Sequence, residues 1–166
     1  TAFAAGALGM AAALSWAGPC LAQGYPAKPI RVVVAFAPGG GTDILTRVIS
    51  PRLGETLGQQ LVVENRAGAS GTIGGGIVAR SAADGYTLLM VDISFTTNPG
   101  LYSRLPYDPA RDFSPVSLLA WAPIILIVHP SVPVRTVKEF IALAKAMPGQ
   151  LNFASGGPGG ATHLGG

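Results

Sequence analysis

Apolar residues fall in short runs along this chain, and the spacing within the runs alternates between two types. The run IRVVVAF, from Ile30 to Phe36, is continuous and rich in β-branched residues. Such a run is typical of a strand buried on both faces of a parallel sheet. Pro38 to Gly41 predict a turn. Helical spacing follows in a set of aliphatic residues: Ile44, Leu45, Val48, Ile49, Leu53 and Leu57.

The ends of this first helix carry recognisable signals. Thr42 or Asp43 is a suitable N-cap, because a side-chain oxygen there can accept a free N–H of the first turn. Gly58 predicts the C-terminal stop. Pro51 lies inside the apolar pattern and predicts a kink or a break.

A second unit repeats this order of strand, glycine loop and helix. Gln60 to Glu64 predict a strand, and the loop NRAGASGT follows at 65–72. A helix diluted by three glycines is predicted from Ile73 to Ala83. YTLLMV, at 86–91, predicts a third strand, and DISFTTNPG, at 92–100, is interpreted as a polar loop after it.

The last third of the chain predicts one more helix and one more glycine loop. Thr136 and Glu139 fit a capping box at the start of that helix. LNFA, at 151–154, predicts a strand, and SGGPGGATH follows at 155–163. Strands that alternate with helices predict a layered α/β fold. The order begins afresh after His129, so we place a first lobe at 25–123 and the start of a truncated second lobe at 124–166.

The composition adds an expectation about export. Residues 1–24 carry no charged side chain and end in Ala22-Gln23-Gly24, which predicts a secretory signal peptide and a periplasmic protein. A membrane-spanning helix is the weaker alternative, because the stretch is rich in Ala and Gly and Pro19 interrupts it. The single cysteine, Cys20, lies in this stretch, so the mature chain has no disulfide framework and no Cys-based metal site.

Charge is sparse in the remainder of the chain. Charged residues make up 11% of the sequence, the net charge is +3, and no basic block occurs. Nucleic acid is therefore not expected as a partner.

Three glycine loops, PGGGTD, AGASGT and SGGPGGATH, each follow a predicted strand and open a predicted helix. Ligands of open α/β sheets bind at the carboxyl ends of strands, and helix starts offer free N–H groups to carboxylate or phosphate. The loops also hold hydroxyl groups at Thr42, Ser70, Thr72, Ser155 and Thr162. We therefore expect the loops to share one ligand, although tight turns alone would also explain glycines.

Motifs of nucleotide sites and of catalysis are incomplete in these loops. The dinucleotide pattern would need glycine at Ile44, no loop carries a phosphate-binding lysine, and Thr72 stands where a nucleophile elbow needs glycine. No cofactor, metal or catalytic residue is assigned. A secreted α/β hydrolase or transferase, using a serine with His163 and Asp43, remains the alternative. His163 is equally a helix-start residue, and Asp43 is better explained as a carboxylate favoured by the helix dipole.

Several stretches together resemble the extracytoplasmic solute receptors of tripartite tricarboxylate transporters, the Bug family. They are YPAKPIRVVVAFAPGGGTD, LGQQLVVENRAGASGTIG, DGYTL, DFSPVSLLA and LNFASGGPGGATHLGG. The resemblance implies a type II periplasmic-binding-protein-like fold of two lobes, without catalysis. It also implies that the lobes close on a small organic acid and deliver it to membrane permease subunits.

The resemblance assigns the first-lobe ligand contacts to the first two glycine loops and the second-lobe contacts to the third. The implied ligand-binding residues are Phe36, Gly40, Gly41, Thr42, Asp43, Ala69, Ser70, Thr72, Ser155, Gly156, Thr162 and His163. Family members often carry Asn or another small polar residue within the last loop, where this chain has Gly-Gly-Pro-Gly-Gly at 156–160.

Overall fold

A computed structural model describes residues 24–165 of the chain. The predicted signal peptide, with Cys20, lies outside the described residues except for Gly24.

Three parallel strands form the central sheet, in the order β2-β1-β3. They are β1, Ile30–Val34; β2, Leu61–Asn65; and β3, Thr87–Met90. The middle strand is the most apolar and is buried almost throughout, as its β-branched run predicted. Its Val32 pairs with Val63 of β2 on one side and with Leu88 of β3 on the other. The predicted α/β class is confirmed.

Helix α1, Gly41–Leu57, packs against β2 and β1. Its N-cap is Gly40, so the prediction of a cap at Thr42 or Asp43 is wrong by two or three residues. The helix also runs through Pro51 without ending, because its packing on the sheet outweighs the lost backbone hydrogen bond. Gly58 stops the helix with a φ of 66°, as predicted.

Helix α2, Thr72–Ala79, is short and follows a 3-10 turn at Ala69–Gly71. Its glycines are buried because neighbouring segments lie too close for side chains. A β-carbon on Gly74 would lie 3.0 Å from Ala35 of the segment after β1, and one on Gly75 would lie 2.5 Å from Tyr107. The glycines that weaken this helix therefore allow it to pack closely on the core.

Helix α3, Ser94–Leu101, replaces the polar loop predicted at 92–100. Asp92 Oδ1 accepts the N–H of Ser94 at 2.8 Å, and this bond holds the first turn. Ser94 and Asn98, which face the interior, are polar. The prediction was wrong because helices were identified by apolar residues at helical spacing, whereas the buried face of this helix consists of hydrogen-bonding side chains.

Helix α4, Val137–Ala146, begins as predicted, since the Thr136 side chain accepts the N–H of Glu139 at 3.2 Å. The predicted strand at 151–154 is wrong; those residues form no regular element, and a short helix α5, Ala161–Leu164, follows. Residues 116–127 are also irregular and carry exposed apolar side chains. Trp121, in the middle of this segment, is 84% exposed.

The division into lobes at residues 123 and 124 stays a prediction. Within residues 24–165, none of the helices combines the length and the apolar character that a membrane crossing requires.

Candidate functional site

The three glycine loops meet around one cavity of about 350 Å³. Helix starts and a strand end supply the wall, as the order of elements predicted. The residues that line the cavity are Phe36, Ala37, Gly40, Gly41, Thr42, Ser70, Asp92, Ser94, Gly156, Gly157, Pro158, Gly160, Ala161 and Thr162.

In the first loop, three adjacent glycines have different roles. Gly39 has a φ of 80°, so the turn itself requires glycine there. Gly40 has a φ of −72°, which any residue adopts, and Gly41 opens α1 without a positive φ. A β-carbon on Gly41 would meet no atom of the described chain within 4 Å. At Gly40 the turn itself is tight, because its N–H donates to Ala37 O at 3.3 Å and a β-carbon would lie 3.3 Å from the same oxygen. The bare backbone at Gly41 is therefore the part that the turn does not demand, and its amide is open to the cavity.

Asp43 lies behind this loop and is not part of the cavity lining. Its carboxylate accepts the Gly39 N–H at 2.9 Å, the Arg47 Nε–H at 3.0 Å and the Asn65 side-chain N–H at 2.9 Å. Asn65 also donates to Phe36 O at 3.1 Å. The Arg47 hydrogen bond, followed by those from Gly39 and Asn65, lowers the pKa of Asp43 to about 2. The geometry thus gives Asp43 a part in holding the loop in place.

The second loop is held in an unusual backbone conformation. Ala69 and Ser70 both have positive φ values, 47° and 53°. Asn98 Nδ2 donates to the Ser70 carbonyl at 2.9 Å, and the Ser70 hydroxyl donates to Pro158 O at 2.6 Å. Ser70 is part of the cavity lining, whereas Ala69 and the buried Thr72 are not.

The third loop is anchored both within itself and to α3. The Gly156 N–H donates to Thr162 Oγ1 at 2.9 Å, and Ser155 Oγ lies 3.0 Å from His163 Nδ1. The Thr97 hydroxyl of α3 donates to Gly159 O at 2.8 Å. Gly156 and Thr162 line the cavity, and Ser155 and His163 lie outside the lining.

These contacts do not assemble the alternative catalytic arrangement. In a serine triad, histidine Nε2 faces the nucleophile and Nδ1 faces the acid. Here Nδ1 of His163 faces Ser155, and the carboxylate of Asp43 is engaged by Gly39, Arg47 and Asn65. The geometry therefore provides no relay from Asp43 through His163 to a serine.

Sequence reasoning missed Asp92 and Ser94, which also line the cavity. Both follow β3 at its carboxyl end, the position from which the glycine loops leave β1 and β2. The sequence Asp-x-Ser directly after a predicted strand could have indicated these two residues. It was overlooked because the search for ligand-binding loops relied on glycines, and this loop has none beside Asp92 and Ser94.

The polar character of the wall comes from hydroxyls and backbone rather than from cations. None of the residues lining the cavity is a lysine, an arginine or a histidine. A carboxylate held here would rely on N–H groups at the start of α1 and on the hydroxyl group of Thr42, because the Ser70 hydroxyl already donates to Pro158 O.

Two other features of the described residues bear on the site. A wider groove of about 710 Å³ lies between α1 and the edge of β2. Arg47 lines this groove, whereas Asp43 and its other partners, Gly39 and Asn65, do not. Nothing of the three glycine loops lies there, so the smaller cavity is the better candidate. Within residues 24–165, His, Cys, Asp and Glu form no group of three that could hold a metal ion.

Comparison with known proteins gives matches over most of the chain. The sequence model described as "Tripartite tricarboxylate transporter family receptor" matches residues 45–166. Protein BugT of Bordetella pertussis is 43% identical over 89% of this chain and 46% of its own length.

Solved structures agree with these sequence matches. R. palustris Rpa4515 with adipate aligns with a TM-score of 0.80 and 39% identity, over 85% of this chain and 48% of that protein. The periplasmic binding protein BugD aligns with a TM-score of 0.71 and 36% identity, over 84% and 47%. The chain spans about half the length of the curated relatives it matches: 46%, 42% and 45% for the first three.

Proposed function

This chain belongs to the tripartite tricarboxylate transporter receptor family, and we propose that it captures a small carboxylated solute in the cavity between its three glycine loops. Its relatives are solute-binding receptors and not enzymes, and nothing in the comparisons supports the hydrolase alternative. Adipate in the related R. palustris protein supports a carboxylate as the class of solute.

One observation carries this proposal. Gly41 leaves a backbone without a side chain at the start of a 17-residue helix, and neither a positive φ nor a close contact within the described chain explains it. The N–H groups and the partial positive charge at such a helix start favour an anion. Ser70 and the third loop face the same space, so a bound carboxylate would be enclosed from several sides.

The wider role is also a proposal. The receptor is exported to the periplasm by a signal peptide at 1–24, and its lobes close around the solute. It then delivers the solute to permease subunits of a tripartite tricarboxylate transporter. The periplasmic assignment of BugD supports the location, and the family of the chain supports the transporter.

Variants at Gly41 and Thr42 test the cavity. A valine at Gly41 would occupy the approach to the backbone, and its β-carbon would meet no described atom within 4 Å, so we expect it to weaken solute binding roughly tenfold or more. Thr42→Val keeps the shape and removes one hydroxyl, which would cost roughly tenfold to hundredfold if it bonds a charged solute. Calorimetry on the intact protein, with straight-chain mono- and dicarboxylates, measures both changes.

Gly39→Ala is the matched control. It strains a residue at φ 80° and is expected to lower the melting temperature, with a smaller effect on affinity than Gly41→Val. Wild-type affinity in well-folded Gly41→Val and Thr42→Val variants would show that this loop does not bind the solute.

A further inference from the structure

The wall of the cavity contains an acidic side chain that a receptor for simple carboxylates does not need. Asp92 follows β3 and is exposed to the cavity. Its Oδ1 accepts the Ser94 N–H at 2.8 Å and lies 2.5 Å from Ser94 Oγ. Its second oxygen, Oδ2, has no hydrogen-bond partner within the described part of the chain. Asp92 therefore keeps one free acceptor at the cavity wall.

Among residues 24–165, no ion pair balances the carboxylate of Asp92. Asp92 is the only charged side chain among the described residues that line the cavity. The ion pairs found within residues 24–165 engage other acids, namely Asp43, Glu64, Asp84 and Asp108. A solute that enters the cavity thus faces the free N–H groups of the helix start at Gly41, and a carboxylate at Asp92.

The start of α1 and the Asp92 carboxylate favour opposite charges at different parts of one solute. A carboxylate is attracted to the helix start and repelled by the like charge of Asp92. An N–H donor beside Asp92 would instead form a charge-assisted hydrogen bond with its free oxygen. A solute with a carboxylate at one end and a donor at the other satisfies both.

We propose that Asp92 makes this receptor select amino carboxylates over dicarboxylates of the same length. This inference rests on the proposed function, because it assigns a specificity to the same cavity. Asp92 acts by direct contact: its free oxygen accepts an N–H of the solute, while the other oxygen stays bonded to the first turn of α3.

Paired solutes test the inference. Adipate is compared with 6-aminohexanoate, and succinate with 4-aminobutyrate, so that within each pair one carboxylate is replaced by an aminomethyl group at nearly constant length. Calorimetry on the intact protein at neutral pH gives the affinity ratio within each pair. We expect the amino member of at least one pair to bind more tightly by roughly tenfold to hundredfold, as a charge-assisted hydrogen bond implies.

Asp92→Asn is the decisive variant. Asparagine can keep the oxygen that accepts from Ser94 and replaces the free oxygen by a donor, so the fold of α3 is retained. The preference should disappear or reverse, chiefly through tighter binding of the dicarboxylate. Glu55→Gln is the matched control, because it removes the same charge at an exposed site on α1 away from the cavity and should leave the ratio unchanged.

The outcomes separate this inference from the function on which it rests. Binding of the dicarboxylates with a ratio that Asp92→Asn leaves unchanged would overturn the role of Asp92 and leave the receptor function intact. Failure of all four solutes to bind the wild-type protein would overturn the carboxylate-binding function and this inference with it. A ratio that Asp92→Asn and Glu55→Gln shift equally would also overturn it, because net charge alone would then be responsible.

Discussion

A single buried carboxylate holds the first glycine loop to the rest of the molecule. Asp43 is 3% exposed and accepts hydrogen bonds from the loop at Gly39, from its own helix at Arg47 and from the end of β2 at Asn65. Three parts of the chain therefore meet at one side chain. Because the loop backbone at Gly40 and Gly41 faces the cavity, this network sets the positions of the amides that would meet a solute.

The lowered pKa of Asp43 predicts an acid-dependent loss of stability. The carboxylate titrates near 2 in the folded chain and near 3.8 when unfolded, so the folded state favours its ionised form. The resulting stabilisation is complete above about pH 4 and is lost as the pH falls through about 2. We expect Asp43→Asn to lower the melting temperature at pH 7 and to make its fall between pH 4 and pH 2 less steep.

Thermal unfolding as a function of pH, with Glu55→Gln as the control for an exposed acid, measures this difference. Parallel curves for the wild type and Asp43→Asn would show that another carboxylate, such as Glu64 with its own lowered pKa, accounts for the acid sensitivity.

At single positions, the sequence predicted the local role of a residue better than its contact partners in the fold. It identified Asp43 as a carboxylate favoured at a helix start and Gly58 as a stop, because both signals are local. It could not identify Asn65 as a partner of Asp43, because the two lie 22 residues apart and meet only through the pairing of β1 with β2. Ser70 was predicted from its hydroxyl, but its left-handed backbone and its bond to Pro158 depend on packing.

Helix α3 connects the second and third glycine loops. Asn98, with 0% exposure, donates to the Ser70 carbonyl, and Thr97 donates to Gly159 O at 2.8 Å. Thr97 Oγ1 also lies 3.2 Å from Ser94 O within its own helix. Its hydroxyl can therefore exchange one acceptor for the other, so detaching the third loop leaves no donor without a partner. The attachment that Thr97 makes is for that reason readily reversible, whereas the Ser70 hydroxyl holds the same loop at Pro158 O.

Thr97→Val should loosen the third loop. The variant removes one neutral hydrogen bond, so we expect the peptide covering residues 155–162 to exchange its amide hydrogens roughly two- to tenfold faster in the absence of solute. Thr96→Val is the matched control, because Thr96 is exposed and its hydroxyl bonds only Ile93 O in the same helix. Equal exchange in the wild type and both variants would mean that the bond to Gly159 does not hold the loop.

Among the elements, those with apolar periodicity were predicted and those with polar interiors were not. β1, β2, β3 and α1 follow patterns that sequence reasoning identifies, within a few residues at the ends. α3 was missed because Ser94 and Asn98 form its buried face. LNFA has strand-like composition, but a strand needs a pairing partner, and the three-stranded sheet of the described residues ends at β2 and β3.

At the scale of the whole molecule, residues 116–127 form an exposed apolar segment. Leu118 is 85% exposed and Trp121 is 84% exposed, and both lie between other exposed aliphatic residues. A run of exposed apolar side chains of this kind favours association with another apolar surface.

We expect this chain to associate with itself as its concentration rises. In sedimentation velocity, the weight-average mass should increase between micromolar and hundred-micromolar protein, and the double variant Leu118→Glu, Trp121→Glu should suppress the increase. Gln60→Glu adds charge at an exposed position outside the segment and should not suppress it. A monomer at all concentrations would contradict the expectation.

The strand order also has a consequence for how the chain folds. β1 is the first of the three strands in the sequence but lies between the other two in the sheet. It therefore pairs with residues far away in the sequence on both sides, and the separation to β3 is about twice the separation to β2. Doubling a loop adds only about 0.6 kcal/mol of closure cost, so the shorter connection, from β1 to β2, closes first, and the three-stranded sheet is complete only when β3 also pairs with β1. The unit β1-α1-β2 is therefore the natural nucleus, and the chain should fold slowly for its size, since residues 24–165 contain no hairpin to form a sheet early.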